Sequence, residues 1–334
     1  MVLIIFFIYG LTLDGAEDGI HYYITPDYKK LLEIDVWADA ATQIFYSLGV
    51  ACGTLPTLSS YNRFNNNCHR DALLIGVINC CTSFFAGFAI FAILGFMAKQ
   101  TGQNIEDVVK SGSALAFVAY PEACTYMPLP PIWSFLFFFM LLILGIGSML
   151  AYCASLTTAI IDEFSLTNQK HYVAIVICFI MFVGGITMCF SGGLYMFDLL
   201  DNVSLCWNIM LCALLELVIV VWMYGVNNFL NDIKQMEIKI PIILEYYWKA
   251  CWCVITPLLI TFLIVMKFIQ FKPYHYGDYV YPDSIQALAW LIPSTSIVIL
   301  ILIGIYQIGY YRGKGFELKT LFQPSRNWGP QKSS

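Results

Sequence analysis

Residues Trp37–Asp71 read WADAATQIFYSLGVACGTLPTLSSYNRFNNNCHRD. The stretch opens as an apolar helix, breaks at Ser47-Leu48-Gly49-Val50-Ala51-Cys52-Gly53, resumes, and closes in a polar knot. An apolar helix interrupted at membrane depth must bury its freed backbone groups in protein or apply them to a ligand. A kinked helix whose small residues permit close packing is the plainer alternative. Both readings put the segment in a membrane, and the composition of the chain agrees.

Hydrophobic residues fill 59% of the 334 positions, charged residues 12%, and the mean hydropathy is +0.72. A soluble domain carries roughly twice that charged fraction. A spanning helix needs about 20 mainly apolar residues. Such segments lie near 37–61 (the broken one), 72–98, 133–161, 171–190, 204–230, 246–271 and 285–310. The expected fold class is therefore an all-α polytopic membrane protein.

Between the spans, residues 1–10 read as the last turns of a helix ended by Gly10, and 11–36 as a polar external loop broken by Gly15, Gly19 and Pro26. Residues 99–132 form an external insertion with amphipathic pieces at 103–110 and 114–126, split by Gly112-Ser113 and punctuated by Pro121, Pro128, Pro130 and Pro131. A loop of that length is usually functional, often a lid. The transmembrane region runs over 37–310, and a polar tail fills 311–334.

Lysine and arginine gather in the 62–71 loop and the tail (Arg63, Arg70, Arg312, Lys314), whereas the other side holds Asp14, Glu17, Asp27, Asp201 and Asp283. That bias predicts a cytoplasmic C-terminus. No basic run suits a nucleic acid. The 12 cysteines lie mostly inside apolar spans without metal-ligand spacing, so Cys80-Cys81 and Cys251-x-Cys253 read as packing residues. Met1–Ile8 lacks a charged leader and a cleavage site, so a cleavable signal peptide is not expected. No nucleophile–base pair stands out, and catalysis is not expected.

The motifs QIFYSLG, SYNRFNNNCHRDA, ILGFMA, AFVAYPEA, IIDEF and WMYG followed by DIKQM occur in that order. With their spacing, the chain resembles the sodium- and chloride-dependent neurotransmitter symporter family over essentially its whole length. TPDYKKL, YHYGDYVYP and Trp328-Gly329-Pro330 look most like glycine and proline transporters. The resemblance implies a twelve-helix fold with two inverted repeats. Met1–Gly10 would be the end of family helix five, and the remaining spans helices six to twelve. Family helices one to four, and most of five, would then lie outside this chain.

Gln43 and Ser47 stand four apart on one helix face, and so do Asn79 and Ser83. Such neutral oxygen and amide groups can solvate small ions without an unpaired charge, or simply bond between helices. The resemblance implies sodium against Ser47 and Asn79, and chloride among Gln43, Ser47, Asn79 and Ser83. Chloride-independent bacterial relatives carry glutamate at the Ser83 position, so a neutral Ser83 implies chloride dependence. A second sodium would fall at Leu144, Gly147 and Ser148, whose i, i+3, i+4 spacing aims carbonyls and a hydroxyl at one point; taken alone, LGIGS is a packing motif.

Substrate would meet Tyr46, Ser47, Gly49, Cys52, Ser148 and Tyr152. Tyr46 and Asp201 match the outer gate, and Tyr61 and Asp162 the inner one. Cys52 stands where the family has a bulky aromatic, tryptophan in glycine carriers, and Tyr152 could fill the space it leaves. Ala154 replaces a common glutamate, and Ser113-Ala114 a Pro-Gly in the lid. These departures suggest divergent specificity or relaxed constraint.

The expected function is sodium/chloride-coupled symport of a small, glycine- or proline-like amino acid across the plasma membrane, within a transporter whose first half is absent here. The alternative is a non-transporting half-transporter that associates with full-length relatives. The expected partners are a small amino-acid-like substrate, sodium, chloride and the lipid bilayer.

Overall fold

The computed structural model describes residues 2–105, 117, 120–190, 192–204, 207–269, 275–276 and 279–315, with backbone alone at 202–204, 275, 276 and 279. Of the lid, residues 106–116, 118 and 119, Gly112-Ser113-Ala114 included, lie outside the described residues, as does the tail beyond 315. The helices are α1 (Val2–Gly10), α2 (Ala16–Ile24), α3 (Ile34–Leu48), α4 (Thr54–Ser60), α5 (Cys68–Thr101) and α6 (Tyr120–Thr125). They continue as α7 (Pro130–Phe164), α8 (Lys170–Ile186), α9 (Gly193–Ser204), α10 (Trp207–Gln235), α11 (Ile242–Ile269) and α12 (Asp283–Gly313). Among the described residues, six helices are long and apolar enough to cross a membrane: α5, α7, α8 with its flanking 3-10 turns, α10, α11 and α12. The chain is an all-α polytopic membrane protein, with a small antiparallel ladder pairing His275 with Val280 and Tyr276 with Tyr279.

Among the boundaries that differ from the sequence reading, three have a local cause. Residues 11–36 are not all loop, because α2 forms over Ala16–Ile24 with Glu17 and Asp18 in its first turn, where carboxylates favour the helix dipole. α7 begins at Pro130, since proline at the first turn gives up an amide that would be unpaired anyway. The break after α3 starts at Gly49; Ser47 and Leu48 remain helical.

The chain forms two units, Met1–Trp37 with Ala72–Ile180, and Ala38–Asp71 with Met181–Ser334. In the first unit, Phe6 meets Trp133 edge-on at 5.5 Å, Tyr9 stacks on Trp133 at 4.0 Å, and Tyr120 stacks on Phe137 at 4.6 Å. Burial pushes the Tyr120 hydroxyl well above its ordinary pKa. Residues 92–98 of α5 are buried all round, whereas most of 72–84 is exposed.

Between helices in lipid, apolar burial supplies little drive, so close backbone approach decides packing. Gly15 and Gly19 provide it. A Cβ on Gly19 would lie 1.9 Å from the Phe91 carbonyl oxygen, and one on Gly95 would lie 2.6 Å from the Gly19 nitrogen. Gly19 is therefore a helix-contact residue rather than a breaker. Gly15, with φ +96°, is the helix start. Lys99 pairs with Asp14 at the same edge, in an exposed ion pair worth little by itself.

The second unit packs Ala38, Met210, Ala213, Ile260 and Leu263 together, with Ala41, Phe45, Val50 and Ala51 against them. Both α10 and α11 change to π geometry midway, at Val218–Gly225 and Cys251–Ile255. At one end of these helices, Glu245 holds Lys234 at 2.8 Å and Lys249 at 3.0 Å. Beside them Trp248 Nε1 donates to His69 Nε2 at 3.1 Å, and Trp248 stacks on Trp252 at 5.3 Å. Elsewhere in the unit Tyr281 donates its hydroxyl to the Tyr195 carbonyl at 2.9 Å.

Candidate functional site

The break between α3 and α4 follows from left-handed residues at three alternate positions, Gly49 (φ 61°), Ala51 (φ 59°) and Gly53 (φ 72°). Glycine takes this conformation without a Cβ clash; alanine does so at a cost of about 1–2 kcal/mol. The Gly49 amide bonds back to the Tyr46 carbonyl at 3.1 Å and that of Val50 to Phe45 at 3.2 Å. Helical bonding resumes with Thr57 to Gly53 at 3.1 Å. The last carbonyls of α3 therefore end at the break, where a helix terminus carries partial negative charge.

One face of α3 (Ala38, Ala41, Phe45) packs into the second unit's core, which leaves Gln43, Tyr46 and Ser47 exposed on the other. Cys52 and Gly49 are half-buried in the break. Leu58 and Tyr61, at the end of α4, are exposed. Asp201 is exposed on α9.

Asn79 and Ser83 belong to the first unit, one turn apart on α5, with Asn79 half-buried and Ser83 exposed. The structure thus brings Gln43 to Ser47, and Asn79 to Ser83, along single helices; the two pairs lie in different units. Leu144, Gly147 and Ser148 also belong to the first unit, on a stretch of α7 exposed from Leu142 to Leu150. A Cβ on Gly145 or Gly147 would meet nothing within 4 Å, so among the described residues LGIGS does not act as a packing motif. The Ser148 hydroxyl donates to the Leu144 carbonyl at 3.4 Å. Tyr152 lies one turn further and is part-exposed; Asp162 is exposed near the end of α7.

Glu216 escaped the sequence reading. It sits on α10, nine residues beyond Trp207, and is exposed within an apolar span. The signal was there to find: an ionisable side chain inside a spanning helix is rare, and it marks a pathway or a protein partner by default.

The profile of the sodium:neurotransmitter symporter family matches residues 1–310. The chain belongs to that family, which is one of symporters, not enzymes. It is 44% identical over 335 residues to the human sodium- and chloride-dependent neutral and basic amino acid transporter B(0+), covering 99% of this chain and 52% of the relative. It is 41% identical to the Xenopus laevis sodium- and chloride-dependent glycine transporter 1, with the same coverage. Glycine transporter 2 of Xenopus laevis is also 41% identical, over 99% of this chain and 42% of its own length. The chain spans about half the length of the curated relatives it matches.

Proposed function

We propose that this chain takes part in sodium- and chloride-coupled symport of a small, glycine- or proline-like amino acid across the plasma membrane, with its C-terminus in the cytoplasm. The observation that carries the reading is the break at Gly49–Gly53, which ends α3 in carbonyls beside the exposed Gln43, Tyr46 and Ser47. The named substrates of the relatives, glycine in one and neutral and basic amino acids in the other, support an amino-acid substrate.

In this reading Gln43, Ser47, Asn79 and Ser83 solvate sodium and chloride, while Leu144, Gly147 and Ser148 hold a second sodium. Tyr46, Ser47, Gly49, Cys52, Ser148 and Tyr152 line the substrate. Tyr46 and Asp201 close the outer side, and Tyr61 and Asp162 the inner side. Coupling follows because sodium completes the substrate site, so each ligand raises affinity for the other.

The test is uptake of radiolabelled glycine and proline in cells expressing the chain alone, or together with the part of a relative that lies outside the matched region. Uptake that needs both sodium and chloride, and falls at least tenfold with Ser47→Ala, is expected from the co-expressed pair. In that system Ser83→Glu should relieve the chloride requirement by supplying a fixed negative charge. Absence of uptake in both arms, with the chain co-purifying with a full-length relative, would replace this reading with that of a non-transporting partner.

A further inference from the structure

Cys153 on α7 and Cys178 on α8 stand with their sulfurs 3.6 Å apart. They are separated by the hairpin between Phe164 and Lys170, and each lies within an apolar helix. At 1.5 Å rise per residue, Cys153 is about 16 Å and Cys178 about 12 Å from that hairpin, so the antiparallel helices bring both thiols to similar depth. Cys178 is exposed and Cys153 half-buried, which leaves the pair reachable from the helix surface. Among the described residues no cluster of three or more metal-binding side chains occurs, so the pair favours a sulfur–sulfur bridge over a metal site. A disulfide needs the sulfurs at about 2.05 Å. From 3.6 Å the sulfurs must therefore approach by about 1.5 Å for the bond to form.

We propose that Cys153 and Cys178 form an oxidation site at which an organic hydroperoxide, the oxidant class that dissolves in lipid, staples α7 to α8. The two thiols lose two electrons and two protons as the S–S bond forms. The hydroperoxide O–O bond breaks, and its oxygens leave as an alcohol and water. Reduction by a thiol reverses the bridge. A water-soluble oxidant reaches this depth poorly, which sets the pair apart from surface cysteines.

Cleavage after Lys170, the lysine that ends the hairpin, reads the bridge directly. No lysine or arginine lies in 111–169 or 171–233, so a basic-residue protease yields fragments 111–170 and 171–234. Membranes holding the full chain are treated with cumene hydroperoxide, digested, and run with and without reductant. The fragments are expected to stay joined without reductant and to separate with it. They should separate in Cys153→Ser and in Cys178→Ser, and stay joined in Cys124→Ser and Cys189→Ser. Thiol titration provides a readout without variants, in which the oxidised chain should lose two maleimide-reactive thiols. Separation of the wild-type fragments, or linkage that persists in both Cys153→Ser and Cys178→Ser, would overturn the proposal. Linkage by copper phenanthroline but not by the hydroperoxide would overturn the assigned oxidant.

Discussion

At the residue scale, glycines with the same letter play opposite parts, and their neighbours decide which. Gly19 is pressed against the Phe91 carbonyl and Gly95, where an added Cβ has backbone in its way. Gly19→Ala is expected to destabilise the chain in detergent by about 3 kcal/mol, the upper part of the range for overpacking. Gly76, inside α5, has nothing within 4 Å of its would-be Cβ. Gly76→Ala should gain up to about 1 kcal/mol from helix propensity alone. Thermal unfolding of the two variants side by side checks both signs. Equal effects would mean that α2 does not lie on α5 as described. The sequence could not separate these glycines, because Gly19 lies in a polar stretch that reads as loop and only the partner helix reveals its contact.

Among the elements, the broken helix was legible to within two residues. Gly49 and Gly53 mark it, and glycine is the residue that takes φ above zero without strain. Ala51, also left-handed, was not legible, since alanine favours continued helix. Gly53→Ala should therefore destabilise by about 1 kcal/mol, and Ala51→Gly should stabilise by a similar amount. Circular dichroism melts in detergent resolve that opposition, and two changes of the same sign would mean the break is held by something other than backbone conformation. The end of α10 and the start of α11 offer a second case. Glu245 takes both Lys234 and Lys249, so Glu245→Gln leaves two lysines facing a neutral amide. The loss of melting temperature should be larger at 10 mM than at 500 mM salt, because the Debye length falls from about 30 Å toward a few ångströms. A salt-independent loss would argue for packing rather than charge.

At the scale of the whole molecule, the exposed surface carries much of the argument. Leu142–Leu150 of α7 and Leu73–Ile78 of α5 are open apolar helix, and they require lipid or further protein around them. The chain expressed in cells should stay in the pellet after alkaline carbonate extraction, as a spanning protein does. Release to the supernatant would contradict the six spans. Polar groups exposed on the spans, Ser83 on α5 and Glu216 on α10, call for protein or ion partners within the membrane for the same reason.

The sequence by itself determined the membrane class, the six long apolar helices, the family and the place of the helix break. These are local properties, written in the length of apolar runs, in glycine's freedom at positive φ, and in short motifs that keep their order. The tertiary structure decided which face of α3 is packed and which displays Gln43 and Ser47, because that depends on Met210, Ala213 and Ile260, more than 150 residues away. It also decided that Gly19 is a contact and not a break, and that Cys153 and Cys178 touch. Hydropathy makes every position of a spanning helix look alike, and distance between helices has no counterpart in distance along the chain.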